Sequence, residues 1–298
     1  MGKPWLIYAL VTTLFWGVWG AFAEFPTRHG FPETLVYVVW TLTMIPPALY
    51  AMQRVGWRIQ RNGKSILLGS LIGFTGAGGQ MLLFHAVHTG PTYLIFPVIA
   101  LSPVVTIGLS MVFLRERVTR IGAIGVLLAL VALPLFNYSP ATEAGAGQGV
   151  TWFIYALIVL LAWGVQGYFM KLANATMDAE NIFLYMTLTS LLLVPVALGM
   201  TDFSVPIEYG WQGPGLAAVT QILNAVGALT LVYAFRYGRA LVVAPLANAG
   251  APMITAIVSM IVLGVVPNTV TVVAIVLAFL AAALLAIEPE DKLVEQPV

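Results

Sequence analysis

The sequence predicts an all-α polytopic membrane protein, with ten transmembrane helices arranged as two inverted five-helix repeats. Three observations carry that reading. Of 298 residues 60% are apolar and 8% charged, with a mean hydropathy of +0.95. A soluble domain carries roughly 25% charged residues, so most of this surface is expected to face lipid. Long apolar runs follow one another at about the 20-residue length a bilayer core demands. Finally, segments of the first half recur, in register, in the second. The net charge of +1 offers no basic field for nucleic acid. With no cysteine there is no disulfide, thiolate nucleophile or Cys-ligated metal, and three histidines leave little for metal chemistry, so no cofactor is expected.

The runs cover residues 4 to 25, 34 to 53, 65 to 85, 91 to 114, 118 to 136, 152 to 173, 180 to 199, 213 to 235, 240 to 263 and 268 to 287. Lipid offers backbone amides no partners, so each is expected as an α-helix; barrel strands would alternate instead. Lys3 precedes the first run as in a signal peptide, but its length, Glu24 and Pro26 fit a retained helix better. In the third run, GFTGAGG (Gly73 to Gly79) permits close packing or a break. In the fourth and ninth, Pro97, Pro103, Pro245 and Pro252 predict matching kinks, because proline removes an intrahelical donor and clashes with the preceding turn.

Asn137 to Thr151 is rich in Gly, Ala and Pro and lacks Lys and Arg. It is expected to link a first repeat, 1–136, to a second, 152–288, with 289–298 a short tail. With the N-terminus inside, twelve of the thirteen Lys and Arg fall on the cytoplasmic side and only Arg28 lies outside. The positive-inside rule therefore puts both termini in the cytoplasm and the linker outside, as for a bacterial inner (plasma) membrane protein.

Residues 14 to 25 (LFWGVWGAFAEF) match 161 to 172 (LAWGVQGYFMKL), with Leu14, Trp16, Gly17, Val18, Gly20 and Phe22 repeated at an offset of 147. Residues 102 to 114 match 251 to 263 at an offset of 149, repeating Pro103, Thr106, Ser110, Met111 and Leu114. Gly90 pairs with Gly238 and Pro97 with Pro245. Duplication explains this register, and five helices per half force the second copy to enter the membrane from the opposite side. Inverted repeats about an axis in the membrane plane recur in secondary transporters, with substrate near the midplane. The rival readings are a membrane-embedded enzyme and a non-transporting scaffold or receptor. Against an enzyme stands the lack of a Ser, His and Asp set, a metal cluster or paired carboxylates at useful spacing.

Candidate substrate contacts are aromatic and polar residues inside apolar runs. Trp16 and Trp19 lie three apart in the first run, aligned with Trp163 and Gln166 in the sixth, beside Tyr168. With Tyr37, Trp40, Tyr93 and Tyr185 they form walls suited to a small organic substrate with a planar, apolar or cationic part. Gln80, Asn224 and Asn248 need hydrogen-bond partners away from water, supplied by a pocket or by neighbouring helices. For coupling or gating the candidates are Glu24, His85, His88 and Lys171. An intramembrane ionisable group is costly unless used, histidine titrates near neutral pH, and Lys171 at its helix end could instead snorkel to headgroups. A coupling proton or other ion stays open.

The WG pair with its apolar run (Leu14 to Phe25), the Pro-centred fourth run ending in LRERVT (Ser102 to Thr119) and the RIGAIGVLLALVAL of the fifth resemble the ten-helix EamA-type members of the drug/metabolite transporter superfamily. The resemblance covers nearly the whole chain. It implies a central cavity lined by helices 1 to 4 and 6 to 9, peripheral fifth and tenth helices, and a small-metabolite substrate moved by alternating access. Three positions depart from the family pattern: Glu24 where a Lys is common, a Lys kept in the second half as Lys171; Trp40 where an Arg is frequent; and Val265 opposite Glu116.

Overall fold

The computed structural model describes residues 4–113, 119–136, 150–237, 247 and 250–286. Among these, every regular element is a helix. The first apolar run forms α1 (Pro4–Phe22), continued after a two-residue turn by α2 (Phe25–Arg28), and the second forms α3 (Glu33–Arg54). The third is α4 (Gly63–Thr89), begun by Asn62, whose Oδ1 accepts the Ser65 amide at 2.8 Å and so satisfies an orphan donor of the first turn. α4 runs unbroken through GFTGAGG, where Gly73, Gly76 and Gly79 serve close packing rather than a break.

The fourth run is two helices, α5 (Thr92–Ile99) and α6 (Pro103–Phe113). Pro103 has no N–H for the Ile99 carbonyl and disfavours helix at Ser102. The Leu101 and Ser102 amides turn back to Val98 and Ile99 instead, at 3.1 and 3.0 Å. The fifth run is α7 (Arg120–Phe136) and the sixth α8 (Thr151–Asn174). The seventh, expected as one helix, is also divided, into α9 (Ala179–Leu192) and α10 (Val194–Met200). Its breaker is Pro195, which lacks the donor for the Leu191 carbonyl. A π-helical turn, Trp211–Gly215, leads into α11 (Leu216–Tyr237). α12 (Ala251–Leu263) stops at Gly264, whose φ of +65° is the left-handed cap that glycine adopts without strain. α13 (Thr269–Ala286) completes the set. Lys171 lies in α8 with its side chain outside the described residues, as do Gly238, Pro245 and Asn248 entirely.

Among the described residues, seven helical stretches are long and apolar enough to cross a membrane, and Arg120–Leu133, Ala251–Leu263 and Thr269–Leu284 are shorter apolar helices. These ten stretches correspond to the ten runs, the ninth only from residue 251 onwards, since most of 240–250 lies outside the described residues. The halves interleave: α1 packs against α11 and α12, and α8 against α4, α5 and α6. α7 and α13 pair with each other, both burying alanines (Ala129 and Ala132; Ala274, Ala278 and Ala281) that let backbones approach. On α1, Ile7, Leu10 and Leu14 form an exposed stripe while Ala9, Thr12 and Thr13 are buried. That arrangement, apolar outside and small or polar inside, suits a helix facing lipid.

Candidate functional site

The two WG dipeptides occupy matching positions. Trp16 of α1 donates its indole N–H to the Asn224 carbonyl on α11 at 3.1 Å, and Trp163 of α8 donates to the Gly76 carbonyl on α4 at 3.3 Å. Residues 76 and 224 are themselves 148 apart. The rings lie on Gly227 and Gly79, another 148-residue pair, where a Cβ would come within 2.6 Å of either indole nitrogen, so only glycine admits the ring. The next residue faces the other way. Gly17 lies against Ile254 and accepts from Thr255 Oγ1 at 3.0 Å, while Gly164 lies against Val105 and accepts from Thr106 Oγ1 at 2.7 Å. Each WG therefore ties its helix to two helices of the opposite half. Ring contacts repeat the pattern: Tyr8 on Tyr233 at 5.6 Å, and Tyr155 on His85 at 4.5 Å.

One turn of α11 gathers three tryptophans. Beside the Trp16 bond to the Asn224 backbone, Trp40 Nε1 donates to Asn224 Oδ1 at 3.2 Å, and Trp19 Nε1 donates to Gln221 Oε1 at 2.9 Å. Tyr37 packs against Trp40, tilted, with centroids 5.3 Å apart, and donates its hydroxyl to the Ser190 carbonyl at 3.1 Å. Gln221 is fully buried, and its Nε2 has no hydrogen-bond partner; the buried Gln80 Nε2 also has none. Leaving such a donor unpaired away from water is costly. Gln221 was not among the sequence candidates, although it is a second amide one helical turn before Asn224 in an apolar run.

The other candidates are more dispersed. Gln166 lies against Gly76. Tyr168 packs on Phe113 and Phe169, with centroids 6.2 and 5.6 Å away, and Tyr93 is half-buried against the core. Tyr185 sits instead at one end of the bundle, donating to the Gln60 carbonyl at 2.8 Å. There the loop before α4 is laced to the start of α9: the Gln60 amide donates to Asn181 Oδ1 at 2.9 Å, Asn181 Nδ2 to the Arg58 carbonyl at 3.1 Å, and the Asp178 amide to Gln60 Oε1 at 2.8 Å.

Glu24, His85 and His88 cluster at the opposite end. Glu24, between α1 and α2, pairs with Arg28 and accepts from Thr92 Oγ1 at 2.8 Å. His85 Nδ1 lies 3.1 Å from Glu33 Oε1, a partner the sequence did not single out because an acidic residue in a helix's first turn is ordinary. His88 is exposed and lines a cleft of about 340 Å³ with Glu33, Thr34 and Asp202. Ser204 donates its hydroxyl and amide to Asp202, holding that exposed carboxyl below its usual range. The loop crossing here is lighter: the Glu208 amide donates to the Gly30 carbonyl at 3.2 Å, and Thr34 and Thr201 share a hydroxyl bond at 2.7 Å. Glu208 follows Gln60 by 148 residues and Asn181 follows Glu33 by the same number, so equivalent segments close both ends.

Comparison with known proteins agrees with this architecture. The profile of the EamA-like transporter family matches residues 3–138 and again 150–287. A 61-residue stretch is 31% identical to part of an uncharacterized protein of Methanocaldococcus jannaschii, a match spanning 20% of this chain and 44% of that protein, less than half its length. A protein of known crystal structure shares the fold at a TM-score of 0.63 and 19% identity, covering 95% of this chain and 96% of that one. With one copy of the family unit in each half and, among the described residues, ten apolar helices that pack across the halves, the chain belongs to the EamA-like transporter family.

Proposed function

We propose that the protein is a secondary transporter that moves a small organic metabolite by alternating access, through a path between two inverted halves. The observation carrying this reading is the doubled contact set. Trp16 with Asn224 and Gly227, Trp163 with Gly76 and Gly79, Thr255 with Gly17 and Thr106 with Gly164 exchange places when the halves are exchanged. A two-fold axis has that effect, and five spans per half put it in the membrane plane. The charge bias places both termini, and the end laced by Gln60 and Asn181, in the cytoplasm. Because the two ends are closed by equivalent segments, rocking one half against the other opens one as it seals the other.

The substrate site lies around Trp16, Trp19, Tyr37, Trp40 and Asn224, with Trp163 and Gln166 as its counterpart. Tyr93, Tyr168, Gln80 and Asn248 are further candidates, and Tyr185 belongs with the end closure. Glu24 and the Glu33–His85 pair, at the outer end, are the groups placed to couple a proton. The test is solute flux in liposomes holding the purified protein, with a metabolite pool inside and its release followed by mass spectrometry. Protein-dependent movement of at least one solute is expected. Conversion of a solute to product would favour the enzyme reading, and no movement at all the scaffold.

A further inference from the structure

Three indoles converge on Gln221 and Asn224, and an indole N–H is a donor only. The Trp19 bond at 2.9 Å therefore fixes the orientation of the Gln221 amide: its oxygen faces Trp19 and its NH2 faces away. That NH2 is fully buried and has no partner. Native structures rarely tolerate this unless something else takes the bond. The indole N–H groups of Trp16, Trp19 and Trp40 are all engaged by the protein, so the amide donor left free among these rings, with Trp19 also edge-on to Phe96 and Trp40 tilted against Tyr37, is Gln221 Nε2.

The charges around it are as informative. α1 carries no Asp, Glu, Lys or Arg; α3 carries them only at its ends, Glu33 and Arg54; and α9 carries only Glu180, in its first turn. Glu24, five residues beyond Trp19, is already matched by Arg28 and Thr92. α11 itself carries only Arg236, in its last turn and twelve residues beyond Asn224. An ionised ligand head at Gln221 would therefore lose its hydration with no charged residue of α1, α3, α9 or α11 within one turn of the cluster on its own helix, a cost of several kcal/mol. Amide hydrogens also disfavour a cationic head.

We infer that the Trp19–Gln221–Trp40–Asn224 cluster binds an uncharged planar group through a carbonyl-type oxygen, which accepts from Gln221 Nε2 while the indoles flank the ring. Gln221 is thereby the residue that sets charge selectivity. The inference rests on the transport reading, because the donor is sealed in this conformation and is reached only once an end opens.

Three probes of one shape separate the charge states: nicotinamide, which is neutral, nicotinate, which is anionic, and 1-methylnicotinamide, which is cationic. Binding to the purified full chain is read by tryptophan fluorescence, with nicotinamide expected to bind at least about tenfold tighter than either ion, the factor for one buried hydrogen bond kept or lost. Gln221→Glu retains the oxygen that Trp19 needs, removes the NH2 and adds negative charge. It should weaken nicotinamide about tenfold and raise the cation above it. Gln221→Met, which adds no charge, should weaken nicotinamide without that reversal. Equal or tighter binding of nicotinate by the parent, no binding of any probe, or an unmoved preference in Gln221→Glu overturns the inference. Flux assays separate it from the reading beneath it. Probes bound in the expected order while no solute crosses liposomes leave the site standing and remove transport; flux of other solutes with no preference for the neutral probe does the reverse.

Discussion

Trp16 and Trp163 show how a residue type can be legible when its partner is not. Their depth in apolar runs and their recurrence at an offset of 147 predict inward-facing indoles that need an acceptor. The acceptors are backbone carbonyls of the opposite half, at Asn224 and Gly76, and each ring lies on a glycine. The indoles are therefore interhelical ties as well as candidate contacts. Trp16→Phe keeps most of the ring and loses the N–H, for which an interhelical bond in a membrane averages about 0.6 kcal/mol. Trp16→Ala opens a cavity against Gly227 and should cost about 3 kcal/mol or more. Thermal denaturation of the purified protein should rank the parent above Phe and Phe above Ala. Equal losses would mean that the ring's packing contributes nothing. Gln221 and Glu33 escaped notice for the opposite reason: one amide or one helix-starting carboxylate is ordinary in sequence, and only a partner 202 or 52 residues away makes it informative.

At the scale of elements, hydropathy located all ten apolar stretches, because lipid exposure demands long continuous runs. The proline break in the fourth was legible too, whereas the one at Leu193 was not, since Pro195 sits in a run whose composition otherwise reads as one helix. Loop closures were invisible, being made between segments far apart in the chain. At the 58–62 end, four hydrogen bonds join Gln60 and Arg58 to Asp178, Asn181 and Tyr185. At the other end the equivalent loop is held by one backbone bond and a Thr34–Thr201 hydroxyl pair. If rocking opens the ends in turn, the laced end must release its bonds in each cycle. Asn181→Ala removes two of them and should speed amide hydrogen exchange in residues 58–62 while sparing 206–210. The chain has no native cysteine, so Gln60→Cys with Asn181→Cys can be bridged by a short thiol-reactive cross-linker on a silent background. Bridging should stop flux in liposomes and leave folding intact; undiminished flux would show that this end need not open.

For the whole molecule, the proposal turns on the opposite insertion of two homologous halves. The family profile matches once in each half, and the side-chain ties that cross between halves recur at offsets of 147 to 149. Two copies placed side by side in the same orientation would need an even number of spans each, yet each half supplies five helical stretches. Lys and Arg divide twelve to one between the two faces this arrangement creates, a bias that an even number of spans per half would destroy. A topology reporter fused after Val298 should therefore report the cytoplasm, and the same reporter inserted in the 137–151 linker the opposite face. Moving positive charge offers a stronger test: Arg54, Arg58, Arg61 and Lys64 form the densest basic group, so changing all four to Gln should weaken the orientation bias and raise the fraction of misoriented chains. Reporters found on the same side in the parent would remove the inverted arrangement. The rocking mechanism built on it would go as well, even though every helix and every contact between the halves stayed where it is.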